Sequence, residues 1–326
     1  KRADFWVVAT FSIPTLLILM ERTSFRPEIF SYLFIVLYLY FLHAAVEHPE
    51  HKKLFWLIPL QILWVNIHIF FVIGVAIAGG FLGEAIIRNY QDIWHSRLVK
   101  RLALLVLLLA AASVINPHGI NGALLSFPLN IKGESPISIA EDVTVPEYLQ
   151  GTYYWSDVTI AIFVPLAVLL MASFLFSPKR MSPFYFLASA ATALVAYSHI
   201  RGMALFGLMF LPAISANFVP VYEKVRDFID RKLLNLKGMI ECVSIVLLVC
   251  ILLKLIIFSN TIGITKFREY GIGLDRWGDA SGTFFREQGL KGPLFNDADV
   301  GSYLIYALYP ETKVFVDNRF GDAYTP

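Results

Sequence analysis

Residues 54–87 read LFWLIPLQILWVNIHIFFVIGVAIAGGFLGEAII, an apolar run broken near its middle by Trp64, Asn66 and His68. As one helix it would extend about 50 Å at about 1.5 Å per residue, too long for one crossing of a hydrocarbon core and short for two. An amide and an imidazole inside such a run each need a polar partner, so the string 64–68 predicts a turn or re-entrant reversal. Outward from it lie further segments apolar nearly all round, Val7–Met20, Ile29–Phe41, Leu102–Val114, Ile160–Phe176 and Val243–Leu253. A water-soluble helix keeps a polar face; these do not. With 57% hydrophobic and 16% charged residues, the expected fold class is an all-α polytopic membrane protein. About nine passes are expected: Phe5–Met20, Ile29–Val46, Leu54–Val65, Ile69–Ile87, Arg101–Asn116, Asp157–Phe176, Ser182–Ser198, Gly202–Phe218 and Met239–Phe258.

The distribution of basic residues predicts the orientation. With a hairpin at 54–87, one side collects Lys52 and Lys53, then Arg88, Arg97, Lys100 and Arg101, then Lys179 and Arg180, then Lys224, Arg226, Arg231, Lys232 and Lys237. Lys1 and Arg2 join them, giving about fifteen against about four in the opposite loops before the tail. By the positive-inside rule that side is cytoplasmic, so the tail lies outside. Arg22, Arg26, Glu28, Asn66, His68, Asn116, His118, His199 and Arg201 all fall on the outer side. The net charge of +2 carries no basic stripe, which leaves nucleic-acid binding unsupported. Cys242 and Cys250 share a predicted helix about 12 Å apart, too far for a disulfide, and read as packing residues.

Residues 1–258 form the expected membrane domain, with a long outer loop at 118–156. That loop opens with Asn116-Pro117-His118-Gly119 and carries three prolines, four acids and the aromatics Tyr148, Tyr153, Tyr154 and Trp155. Those aromatics suit either a packed functional loop or a membrane-interface belt. Residues 259–326 read as the start of a small extracytoplasmic α/β domain: strands near 293–296 and 313–317 flank a helix ending at Leu308 and capped by Asp297 or Asp299. Asp317 and Arg319 at the second strand's end read either as functional residues or, by preference, as an ordinary ion pair. Both chain ends read as cuts within a longer protein.

Three strings carry candidate chemistry. Trp64-Val65-Asn66-Ile67-His68 reads either as the wall of a polar ligand site or as a hydrogen-bonded helix break. In Ser198-His199-Ile200-Arg201 a short turn holds Arg201 close to the bilayer surface, where its guanidinium suits two phosphate oxygens or a lipid head group. Glu141 and Asp142 are catalytic candidates, since an adjacent carboxylate pair in an outer loop can deprotonate an acceptor hydroxyl, or they simply face water. Gly79 and Gly83 form a G-x-x-x-G, the spacing of close helix packing. No zinc-protease, nucleotide-binding or cysteine–histidine metal spacing is present.

The succession Phe25-Arg26-Pro27-Glu28-Ile29-Phe30, Trp64-Val65-Asn66-Ile67-His68, Ile115-Asn116-Pro117-His118-Gly119 and His199-Ile200-Arg201, with 294–301 and 314–319, resembles bacterial membrane proteins of the C-type (GT-C) glycosyltransferase superfamily. The resemblance implies a hexosyltransferase of the bacterial inner membrane that uses a polyprenyl-phosphate-linked sugar and a saccharide, lipid or protein acceptor, with membrane lipid as its solvent. It implies that Arg201, with Arg22 or Arg26, holds the donor phosphate, and that Asn66, His68, His118 and His199 line the site. The catalytic acid of that family lies in the first outer loop, expected upstream of residue 1. A divalent cation is compatible with the chemistry, but no residue group marks a site for one. Ile69-Phe70 stand where relatives have glycines after the histidine, which departs from a flexible turn. A transporter or flippase of lipid-linked saccharides, or a non-catalytic membrane anchor, are the competing readings.

Overall fold

The structure is a computed structural model that describes residues 5–20, 27–50, 52–124, 144–150, 157–176, 181–232 and 279–317. The described residues fall into two compact units, one made of the helices up to residue 232 and one of residues 279–317.

The first unit contains α1 (Phe5–Met20), α2 (Glu28–Glu47), α3 (Leu57–Val65), α4 (Phe71–Arg88), α5 (Arg97–Ala112), the short α6 (Gly119–Leu124) and α7 (Val145–Gln150), α8 (Asp157–Ser173), α9 (Pro183–Ser198) and α10 (Met203–Lys232). Among the described residues, three stretches are long and apolar enough to cross a membrane: Glu28–Glu47, Phe71–Arg88 and Ile200–Phe228. The apolar helices Phe5–Leu19, Ile162–Ser173 and Pro183–Ser198 are shorter. At about 1.5 Å per residue, 16 residues reach about 24 Å, less than a typical hydrocarbon core. The 54–65 segment is not one continuous α-helix either. A 3-10 turn, Lys52–Trp56, leads into nine residues of α3. The ninth expected pass, Met239–Phe258, lies outside the described residues.

The unit differs from a water-soluble bundle in its surface, which is apolar around an apolar core that holds a few polar groups. Leu107, Val168, Leu187 and Leu194 are each more than 60% exposed, whereas Gln61, Ser113, Ser173 and Asn217 are buried. Lipid accepts the first arrangement, and the second works only where every polar group finds a partner. Asn217 on α10 donates to Ser173 Oγ on α8 at 2.8 Å, and that hydroxyl donates to the Leu170 carbonyl. Gln61 is saturated. Its Oε1 accepts the Tyr38 hydroxyl, and its Nε2 donates to the Phe71 carbonyl at 3.2 Å and to Ser113 Oγ at 2.8 Å. One amide thereby ties α2, α3, α4 and α5 together. Replacing it, Gln61→Met, keeps the volume but leaves buried polar groups short of partners. A loss of about 1–3 kcal/mol is expected, read as a lower unfolding midpoint in detergent; an unchanged midpoint overturns this account.

At one end of the helices, α4 and α9 are joined through Glu84. Its carboxylate accepts from the Ser182 hydroxyl and from the Phe184 N–H, and pairs with Arg88 at 2.7 Å. Tyr185 beside it meets His43 Nε2 of α2 at 2.6 Å. The expected close packing at Gly79 and Gly83 is not found, because nothing lies within 4 Å of where their Cβ atoms would be. The close approach comes at Gly80, against the Phe184 ring, and at Gly74. Spacing marks a smooth face; it does not say which face a neighbour occupies.

The second unit holds α11 (Asp279–Glu287) and α12 (Ala298–Leu308). The two expected strands reduce to one parallel bridge, Leu294 with Val314. The Asn296 side chain takes the place of the next rung: its amide donates to the Val316 carbonyl at 2.7 Å and accepts from the Phe315 N–H at 2.9 Å. Asp317 is buried, and Arg319 lies outside the described residues.

Candidate functional site

The reversal between α3 and α4 is where the apolar run breaks. After Val65 the helical ladder tightens, with the Ile67 and His68 N–H groups both donating to the Trp64 carbonyl at 3.0 Å, and Phe71 N–H then reaching the His68 carbonyl at 3.3 Å. Asn66 supplies the reason. Its amide donates back to the Ile62 carbonyl at 2.7 Å and across to the Ile115 carbonyl at 2.9 Å, satisfying two acceptors at helix ends. The side chain predicted to line a ligand site is therefore spent on backbone.

His68 is placed differently. Trp64, fully buried, donates its indole N–H to Ser31 Oγ of α2 at 2.8 Å. Ser31 Oγ lies 3.0 Å from His68 Nδ1, and the Phe70 N–H also points at that nitrogen, 3.4 Å away. The Phe70 ring stands edge-on to the imidazole with centroids 4.5 Å apart. One turn before Ser31, Glu28 is 5% exposed at the start of α2. Burial holds the His68 imidazole below its usual range; the Glu28 charge opposes that shift and the Arg201 charge adds to it. A carboxylate and a guanidinium from two other segments thus both act on the His68 imidazole.

Arg201 occupies the 3-10 turn Ile200–Gly202 between α9 and α10. The turn is tight: Gly202 N–H donates to the His199 carbonyl at 2.7 Å, and a Cβ at Gly202 would stand 2.9 Å from the Ala196 backbone nitrogen. Only glycine fits there, which fixes where the Arg201 side chain leaves the backbone. His199 is exposed beside it. His118 is exposed too, in a turn held by Asn116, whose amide donates to the Ser113 and Gly119 carbonyls and whose oxygen accepts the His118 N–H. Asn66 links that turn to the 66–70 reversal through Ile115. Of the residues singled out in the sequence, Arg201 acts on His68 through its charge, with Asn66 and His118 in turns linked to the 66–70 reversal and His199 next to Arg201. Arg22, Arg26, Glu141 and Asp142 lie outside the described residues.

Two residues around His68 were missed as site residues. Glu28 had a signal, an acid opening an otherwise apolar helix. Ser31 had none, since a lone serine in an apolar helix is ordinary and only its three-residue offset from Glu28 puts both on one face. The second unit carries a separate open cleft of about 1100 Å³ lined by Arg286, Lys291, Lys313 and Glu311 among apolar side chains, and it contains none of the sequence candidates. Among the described residues, no group of three or more His, Cys, Asp and Glu side chains is gathered to hold a metal ion. No family model, curated protein or solved structure matches the chain.

Proposed function

We propose that the chain is part of a membrane transferase that moves a sugar from a polyprenyl-phosphate carrier to an acceptor on the outer face of a bacterial inner membrane. The supporting observation is the half-buried His68 in the reversal at the end of apolar helices, its charge state acted on by Glu28 and by Arg201. A phosphate carried by a lipid arrives at that depth, and a fork of guanidinium donors binds two of its oxygens. The nine-pass arrangement with this end outside is part of the same reading and rests on the basic-residue bias.

In the reaction, an acceptor hydroxyl attacks the anomeric carbon of the sugar, the bond from that carbon to the phosphate oxygen breaks, and its electron pair stays on the phosphate. Arg201 neutralises the charge that develops there. The acceptor's proton passes to a carboxylate, for which Glu28, Glu141 and Asp142 are this chain's candidates. Products are the new glycoside and polyprenyl phosphate.

The test uses full-length protein in liposomes supplied with a panel of polyprenyl-phosphate sugars and acceptors. Acceptor-dependent release of polyprenyl phosphate supports the reading. Saturable donor binding or movement across the bilayer without release replaces it with a transporter, and neither activity replaces it with an anchor.

A further inference from the structure

Three contacts around His68 decide which of its nitrogens carries the proton. The Trp64 indole N–H can only donate, so Ser31 Oγ accepts it and keeps its own O–H to give. Ser31 Oγ lies 3.0 Å from His68 Nδ1, a contact in which either atom can donate, according to the tautomer of the ring. The Phe70 N–H, also purely a donor, converges on the same nitrogen at 3.4 Å. A backbone N–H aimed at that nitrogen requires a lone pair on it, and the Ser31 O–H is then the donor in the 3.0 Å contact. In a neutral imidazole the proton then sits on the other nitrogen. Ser31 and Trp64 are both fully buried, so this relay is shielded from water and its direction is fixed by packing. His68 itself is half-buried, and among the described residues its Nε2 meets no hydrogen-bond partner.

We propose that His68 is locked as the Nε2–H tautomer and presents that N–H as a fixed donor to a phosphate oxygen of a lipid-linked substrate. The ligand named here rests on the transferase reading above; the tautomer does not. The role is positioning. A ring whose Nε2 already bears a proton does not take one from an acceptor hydroxyl, so the base lies elsewhere. The indole–hydroxyl–imidazole relay orients a donor, and the Arg201 charge nearby selects an anion as its partner.

The two halves are tested separately. Full-length protein with 15N-labelled histidine is placed in phosphatidylcholine nanodiscs, and the His68 resonances are assigned by their loss in His68→Gln. A pyridine-type Nδ1 with a pyrrole-type Nε2 is expected, and Ser31→Ala should weaken that preference. The opposite pattern overturns the proposal whatever the substrate is. In the second arm polyprenyl phosphate is titrated into the same nanodiscs. Glutamine places an amide N–H near the position of Nε2, whereas asparagine reaches only as far as Nδ1. His68→Asn is therefore expected to weaken binding about tenfold and His68→Gln less than about threefold, as fits one hydrogen bond to a charged group. Equal losses, or none, overturn the donor role. Competition separates the sources of phosphate: displacement by phosphatidylglycerol or inorganic phosphate at comparable concentration overturns the lipid-linked substrate. Failure of wild type to bind polyprenyl phosphate, with the tautomer as expected, overturns the transferase reading and the ligand with it.

Discussion

Arg201→Ala is expected to lower acceptor-dependent release of polyprenyl phosphate by about 100-fold or more, the loss typical when a donor to developing negative charge is removed. The turn that carries Arg201 has its own backbone contacts at Gly202 and His199, so the variant is expected to keep the turn. Arg201→Lys separates charge from geometry. Lysine restores a cation but not the planar fork, and recovery to within about tenfold of wild type is expected. If instead both variants release polyprenyl phosphate normally and only the unfolding midpoint falls, Arg201 is a structural partner of the helix ends and the proposed donor site is wrong. The same measurement made on Glu28→Gln tells whether that carboxylate takes the acceptor's proton: transfer falls sharply if it does, and changes little if it only balances charge.

How far the sequence reached depended on the kind of signal. Apolar runs located the longer described helices of the first unit, though not the short ones at Gly119–Leu124 and Val145–Gln150 inside the expected outer loop, because a chain in lipid has no other way to satisfy its backbone. The 66–70 reversal was legible for the same reason: Asn66 and His68 are out of place in hydrocarbon unless the helix stops. What each does there was not legible. Asn66 bonds one backbone carbonyl four residues away and another 49 residues away, and only the fold brings Ile115 to it. His68 and Arg201, 133 positions apart, meet through charge, while Ser31 joins them by a hydroxyl that no pattern marks. In the second unit the alternation at 293–296 and 313–317 located the segments that pair. It could not show that Asn296 replaces a backbone rung with its side chain, which leaves one bridge where two strands were expected.

Gly74→Ala is expected to destabilise the first unit by about 1–3 kcal/mol, the usual cost of forcing extra volume into a packed core. A Cβ at Gly74 would stand 2.8 Å from Trp64 Cζ3, 2.9 Å from Tyr38 Cζ and 3.0 Å from Gln61 Oε1. None of those three has room to yield. Trp64, Tyr38 and Gln61 are each 0% exposed, the two rings pack edge-on with centroids 5.5 Å apart, and the hydroxyl of Tyr38 is committed to Gln61. Trp64 is also the residue whose indole N–H begins the relay to His68. A methyl group on α4 therefore presses on the site from behind, without touching any residue assigned to the ligand. The variant should unfold at a lower temperature in detergent and, where still folded, bind polyprenyl phosphate more weakly because Ser31 and His68 lose their alignment. Gly79→Ala is the matched control. It lies on the same helix with nothing within 4 Å of its Cβ position, and alanine favours a helix over glycine by about 1 kcal/mol. It should leave binding unchanged and stability equal or higher. If the two variants behave alike, the close contacts at Gly74 do not hold the relay in place.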